Sequence, residues 1–124
     1  MFNCLEKIKT QLSDLAPSVK IGLENGIKNA KSVPFIRIVS FNDEVAGYNT
    51  LDLIFNIYVA VKKTNNLEDD YKMLDKLVIE VRKKLHLKQI FNGVIYYKSS
   101  VDDNDETPSI KVKVLHFTIK GILW

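Results

Sequence analysis

Cysteine is nearly absent from this 124-residue chain, and Cys4 stands alone. One thiol cannot close an intrachain disulfide, which excludes a scaffold stapled by disulfides. Cys4 lies on an apolar helical stripe, where a thiol serves as a small buried apolar group. Histidine is equally scarce. His86 and His116 are too few for a convincing metal centre. His86 suits the negative end of a helix, and His116 reads as a packed strand residue. No stretch approaches the ~20 apolar residues of a membrane helix. Met1–Lys9 lacks the continuous apolar segment of a signal peptide, so the expectation is no membrane and synthesis in the cytoplasm. There is no Ser-His-Asp order, no glycine-rich phosphate loop and no CxxC pair. No repeat, low-complexity tract or linker divides the chain, which reads as a single domain over 1–124.

What is present is a globular composition: 46% hydrophobic and 27% charged, with a net charge of only +3. That balance argues against global disorder and against the dense basic cluster of a dedicated nucleic-acid binder. The chain is organised around Thr50–Lys88. Leu51, Leu53, Phe55, Ile57, Val59 and Val61 alternate with Asp52, Ile54, Asn56, Tyr58, Ala60 and Lys62. That is a strand with one wholly apolar face and one mixed face. At about 3.3 Å per residue it reaches about 40 Å, which predicts an arm extending past its own fold. A helix follows, with Leu67, Tyr71, Leu74, Leu77, Val78, Val81 and Leu85 on one stripe. Asn65 or Asn66 caps it, acids fill its first turn and bases its last. Glu68–Lys72 and Glu80–Lys84 stand at favourable four-residue spacing.

The remaining segments complete an α+β order, α-β-β-β-α-β-β. The sheet is mainly antiparallel with about five strands, and two helices pack on it. Phe2, Leu5, Ile8, Leu12 and Leu15 predict a first helix over 2–15, ended by Pro17. Val19–Leu23 is a weak edge strand followed by an Asn25-Gly26 turn. Val33–Phe41 is a strand with both parities largely apolar, and Asn42–Asn49 is a polar loop. After the Asn92-Gly93 turn comes a short strand, Val94–Lys98, then the hydrophilic loop Ser99–Ser109 and a last strand from Ile110 to about Leu123. In that strand the apolar parity changes midway, which predicts a bulge near Val114.

These elements carry residues suited to three chemistries. Asp102, Asp103, Asp105 and Glu106, joined by Asp43, Glu44 and Asp52, have the ligand chemistry of a metal-dependent enzyme. They lack the EF-hand spacing, and a solvated loop accounts for them. Arg37, Lys111, Lys113 and Lys120 with Tyr96, Tyr97 and Phe117 would suit a basic aromatic face for single-stranded nucleic acid. That supports the alternative of a small nucleic-acid-binding or regulatory domain. Tyr58 and Trp124 are aromatic anchors suited to a protein interface.

The layout of Val33-Pro34-Phe35-Ile36-Arg37, the alternating Leu51–Val61 and the Leu-x-x-Leu helix from Leu74 to Leu85, closed by a strand pair around a polar loop, resembles a known family. It is similar to the tail terminator and tail completion (minor tail) proteins of long-tailed bacteriophages and prophages. The resemblance implies a non-enzymatic structural protein of the virion tail, without catalytic residues or cofactor, made in the bacterial host cytoplasm. It implies a self-associated ring, commonly a hexamer, which caps the tail tube, stops its polymerisation and meets the head-tail completion protein. DNA passes through such a ring without specific binding. On this reading Arg37, Asp43, Glu44, Tyr58, Asp102, Asp103, Asp105 and Trp124 are interaction residues. The loops 42–49 and 99–109 then face ring neighbours, the tube or the channel.

Overall fold

Thr50–Lys62, with its wholly apolar odd face, lies in the middle of the sheet. The computed structural model describes residues 2–22, 34–102 and 110–123. Along them run α1 (Phe2–Leu12), β1 (Ser18–Ile21), β2 (Phe35–Val45), β3 (Thr50–Lys62), α2 (Leu67–Leu85), β4 (Gln89–Ile90), β5 (Gly93–Asp102) and β6 (Ile110–Leu123). The strands form one six-stranded sheet in the order β1-β2-β3-β6-β5-β4. Every pairing is antiparallel except β1 with β2, which is parallel.

β3 is flanked by β2 and β6 along its length. Its odd residues from Leu53 to Val61 are buried under the helices. Leu5, Ile8 and Leu12 of α1 and Leu74, Leu77, Val78, Val81 and Leu85 of α2 close that core. Phe55 and Phe117, cross-strand partners, stack with centroids 5.3 Å apart and planes at 10°. Such a pair contributes about 0.5–1.5 kcal/mol beyond its buried area.

α2 begins where Asn66 accepts the Asp69 backbone N–H at 3.2 Å. Asp70, in the same turn, is buried and accepts the Thr64 hydroxyl at 2.6 Å and the Thr64 backbone N–H at 2.9 Å. Those bonds hold its carboxyl below the usual range. The helix ends with the His86 N–H on the Arg82 carbonyl at 2.8 Å. Lys72 pairs with Glu68 at 3.5 Å, while Lys84 turns from Glu80 to Asp14 of the α1 end at 3.2 Å.

Several expectations are corrected. The sheet has six strands among the described residues rather than about five, because the two-residue β4 is too short to show a period. It joins β5 through Phe91 and Asn92 at φ 48 and 65, the paired positive angles of a tight hairpin. Gly93 opens β5, and a Cβ there would stand 2.8 Å from Ile119 Cγ2. α1 stops at Leu12 rather than Leu15. Leu67 and Tyr71 are exposed rather than part of the α2 core stripe. β1 is an edge strand, as expected, but pairs with β2 in parallel, and the Asn25-Gly26 turn lies outside the described residues.

The β6 parity change has a different cause from the bulge expected near Val114. β6 pairs with β3 in unbroken register from Lys62↔Ile110 to Leu53↔Ile119. Ile110 and Val112 are buried with Phe35 and Ala60 on the face opposite the helices, and Tyr58 packs against them. Both faces bury apolar side chains at this end, so no slip is needed. On the β3 side the irregularity falls where Leu51 faces Ile122 but Leu53 faces Ile119, with Gly121 at φ 78 in the inserted stretch. On the other side the extra residue belongs to β5, where Tyr97 faces Phe117 but Ser99 faces His116.

Candidate interaction surface

The extension expected of β3 is also corrected. The strand has its 13 residues, but both its edges are occupied by its own chain. What reaches solvent is the hairpin that β3 forms with β2. Asn42–Val45 are strand rather than loop, and every residue from Asn42 to Asn49 is exposed. The Ala46 N–H closes the turn on the Thr50 carbonyl at 3.0 Å. Tyr48 is 100% exposed and Val45 71%, beside Asp43 and Glu44. Asp52 at the hairpin base is committed elsewhere. It accepts the Gly121 N–H at 3.0 Å and the Lys120 ammonium at 3.1 Å, and the backbone bond leads in holding its carboxyl below the ordinary range.

β2 is covered on its outer side by β1 only from Phe35 to Ile38. Among the described residues no strand lies outside Val39–Val45. β5 has the complementary arrangement. Ile95 exchanges hydrogen bonds with Leu87 and Lys88, and the Tyr97 N–H reaches His86 Nδ1 at 3.1 Å. Among the described residues no strand lies outside Lys98–Asp102, which are strand rather than loop.

Beside that second open edge lies a basic groove lined by Ile79, Arg82, Lys83 and His86, about 410 Å³ in volume. Its wall is fixed by stacking: the Arg82 guanidinium sits 4.3 Å over the Tyr97 ring, and Tyr96 meets His86 edge-on at 6.4 Å. Sequence reading assigned Arg82, Lys83 and His86 only to a helix end. The groove needs α2 beside β5, a neighbourhood no local pattern contains. Val45 and Tyr48 were also missed, although an aromatic in a polar tip was their available signal.

The residues singled out from sequence do not form one cluster. Arg37 is buried, with its guanidinium 4.7 Å over Phe35, donating to the Ile36 carbonyl at 2.9 Å and the Ser18 carbonyl at 3.2 Å. It straps β1 to β2. Tyr58 is half-buried opposite it. Asp43 and Glu44 stand together on the exposed hairpin. Asp102 lies at the far end of β5, 4.0 Å from Lys113. Asp103, Asp105 and Trp124 lie outside the described residues.

The proposed basic aromatic face does not assemble. Arg37 shares a sheet face with Tyr58 and Val114, whereas Lys111 and Lys113 point to the helix side. There Lys111 lies 4.0 Å over the Tyr71 ring, and Lys113 stands 4.0 Å from Asp75. Phe117 is wholly buried. Among the described residues no group of three His, Cys, Asp or Glu side chains is placed to hold a metal ion, and no helix is long and apolar enough to cross a membrane. Burial raises the Cys4 thiol pKa, which suits a packed apolar group.

No protein-family model matches the chain, and no curated protein matches it. Its fold is nevertheless shared with a solved chain described as "Virion of native gene transfer agent (GTA) particle", at a TM-score of 0.65 and 12% identity, over 97% of this chain and 96% of that one.

Proposed function

We propose that this chain is a structural protein of a virion tail, acting through assembly rather than chemistry. The observation that carries the reading is the end-to-end fold likeness to a chain of a virion particle. A match over nearly the whole of both chains makes the two alike as units, not through a shared motif. The geometry supports the same reading. The exposed acidic hairpin and the two strand edges that no described strand covers are docking features, since unpaired strand edges invite pairing.

In this account the chain is one domain that joins copies of itself into a ring, a hexamer by the resemblance drawn from its sequence. The ring caps the tail tube, stops its polymerisation and meets the head-tail completion protein. DNA passes through without specific binding. The engagement of Lys111 by Tyr71, Lys113 by Asp75 and Asp102, and Lys120 by Asp52 supports this, because those cations are already partnered. The experiment is tube growth: purified protein added to polymerising tail-tube protein yields capped tubes of arrested length. Tubes that grow unchanged, together with salt-sensitive binding of oligonucleotides, would instead support a nucleic-acid-binding domain.

A further inference from the structure

We infer that the subunits join head to tail through their sheet edges: the outer edge of Val39–Val45 in one copy pairs antiparallel with Lys98–Asp102 in the next. The inference rests on the ring reading above and specifies its contact.

Three observations carry it. The two edges are on opposite sides of the sheet, since β2 and β5 are separated by β3 and β6. Each copy therefore offers one edge to either neighbour, the condition for a heterologous contact that propagates and can close into a ring. Strand directions fit as well. β2 is antiparallel to β3, β3 to β6 and β6 to β5, so β2 and β5 run in opposite senses within one copy. A neighbour continuing the sheet in the same orientation presents β5 antiparallel to β2, displaced along the strands, because Val39 lies level with Ser99 and the two uncovered stretches run from that level toward opposite ends of the sheet.

Charge is the third observation. The β2 edge carries exposed Asp43 and Glu44; the edge it would meet carries Lys98 with Arg82, Lys83 and His86 in the adjoining groove. Asp102 at the far end of that edge stands 4.0 Å from its own Lys113 and, in an antiparallel pairing that sets Lys98 against Asp43, falls opposite Val39. Acid on one side and base on the other favours unlike edges over like ones, because two β2 edges together would oppose four carboxylates. Backbone ladder bonds supply the adhesion, and the charges supply the choice of partner. Val45 and Tyr48, exposed on the same hairpin, add apolar area that a solitary subunit leaves in water.

The test uses the full chain. Equal amounts of ¹⁴N- and ¹⁵N-labelled protein are mixed and treated with a carbodiimide, which links touching carboxylates and lysines directly. The expected products are mixed-isotope peptides joining Asp43 or Glu44 to Lys83 or Lys98. In parallel, the doubly reversed variant Asp43→Lys, Glu44→Lys loses self-association by about tenfold or more, and adding Lys83→Glu and Lys98→Glu restores it. All four positions are exposed, so the fold tolerates them. Oligomers of unchanged mass without these cross-links overturn the edge contact and leave the ring standing on another surface. A protein that stays monomeric yet arrests tube growth also overturns it and leaves the capping role intact. A monomer that leaves tubes unaffected overturns both.

Discussion

Asp52 and Gly121 are joined by a 3.0 Å hydrogen bond from the glycine N–H to the carboxylate, where the β3–β6 register breaks. The inserted residue frees a backbone donor from the ladder, and the carboxylate satisfies it. The base of the acidic hairpin is thereby tied to the last strand. Asp52→Ala removes that acceptor together with the Lys120 contact. Chemical denaturation will show a loss of about 1–3 kcal/mol. Asp52→Asn, which keeps an acceptor oxygen, will lose less.

Two glycines differ in what they permit. Gly121 has a positive φ and open space around the position of a Cβ, so Gly121→Ala meets only backbone strain, about 1–2 kcal/mol. Gly93 is confined: a Cβ would meet Ile119 Cγ2 at 2.8 Å, Ile122 Cγ1 at 3.0 Å and the Lys120 carbonyl at 3.1 Å. Gly93→Ala must displace strand β6, costing about 1–3 kcal/mol. Amide exchange distinguishes the two. Gly93→Ala loosens β5 and β6 together, whereas Gly121→Ala leaves exchange in the middle of β6 unchanged.

Stability should fall in acid because of Asp70. Its folded-state pKa is depressed by the Thr64 hydroxyl and N–H, so its contribution is present above the unfolded value of about 3.9. That contribution disappears as pH falls through the lower folded value. Asp70→Asn lacks this titration. The gap between wild type and variant should be widest near neutrality and close below pH ~4 in thermal melts. A gap independent of pH would show that the Thr64 bonds do not distinguish the charged from the neutral form.

Arg37→Ala should destabilise the β1–β2 junction by about 1–3 kcal/mol, since two carbonyl bonds and the Phe35 contact go together. The loss should appear as faster amide exchange in Ser18–Ile21. Oligomer mass should be unchanged at concentrations where the variant is folded, because Arg37 is buried rather than presented to a partner.

Much of the fold was legible because its signals are local. The parity of Leu53–Val61 and the stripe from Leu74 to Leu85 each record one buried face, and both proved correct. The parity change in β6 was visible but assigned to a bulge, because one-sided burial was assumed. Phe35, Ala60, Ile110 and Val112 bury the second face at that end. Parallel pairing of β1 with β2 was illegible for another reason. Four residues contain no information on direction, and the Asn25-Gly26 turn signal is equally silent on it. The candidate surface was half legible. Asp43 and Glu44 were identified from charge and loop position, but the groove of Arg82 and Tyr97 forms only when α2 and β5 meet.

The most direct test of assembly as this protein's activity is its mass by native mass spectrometry, alone and with tail-tube protein. The account predicts a closed oligomer of fixed stoichiometry that binds tube ends as a unit. A monomer at every concentration, with no transfer to tube ends, would contradict it.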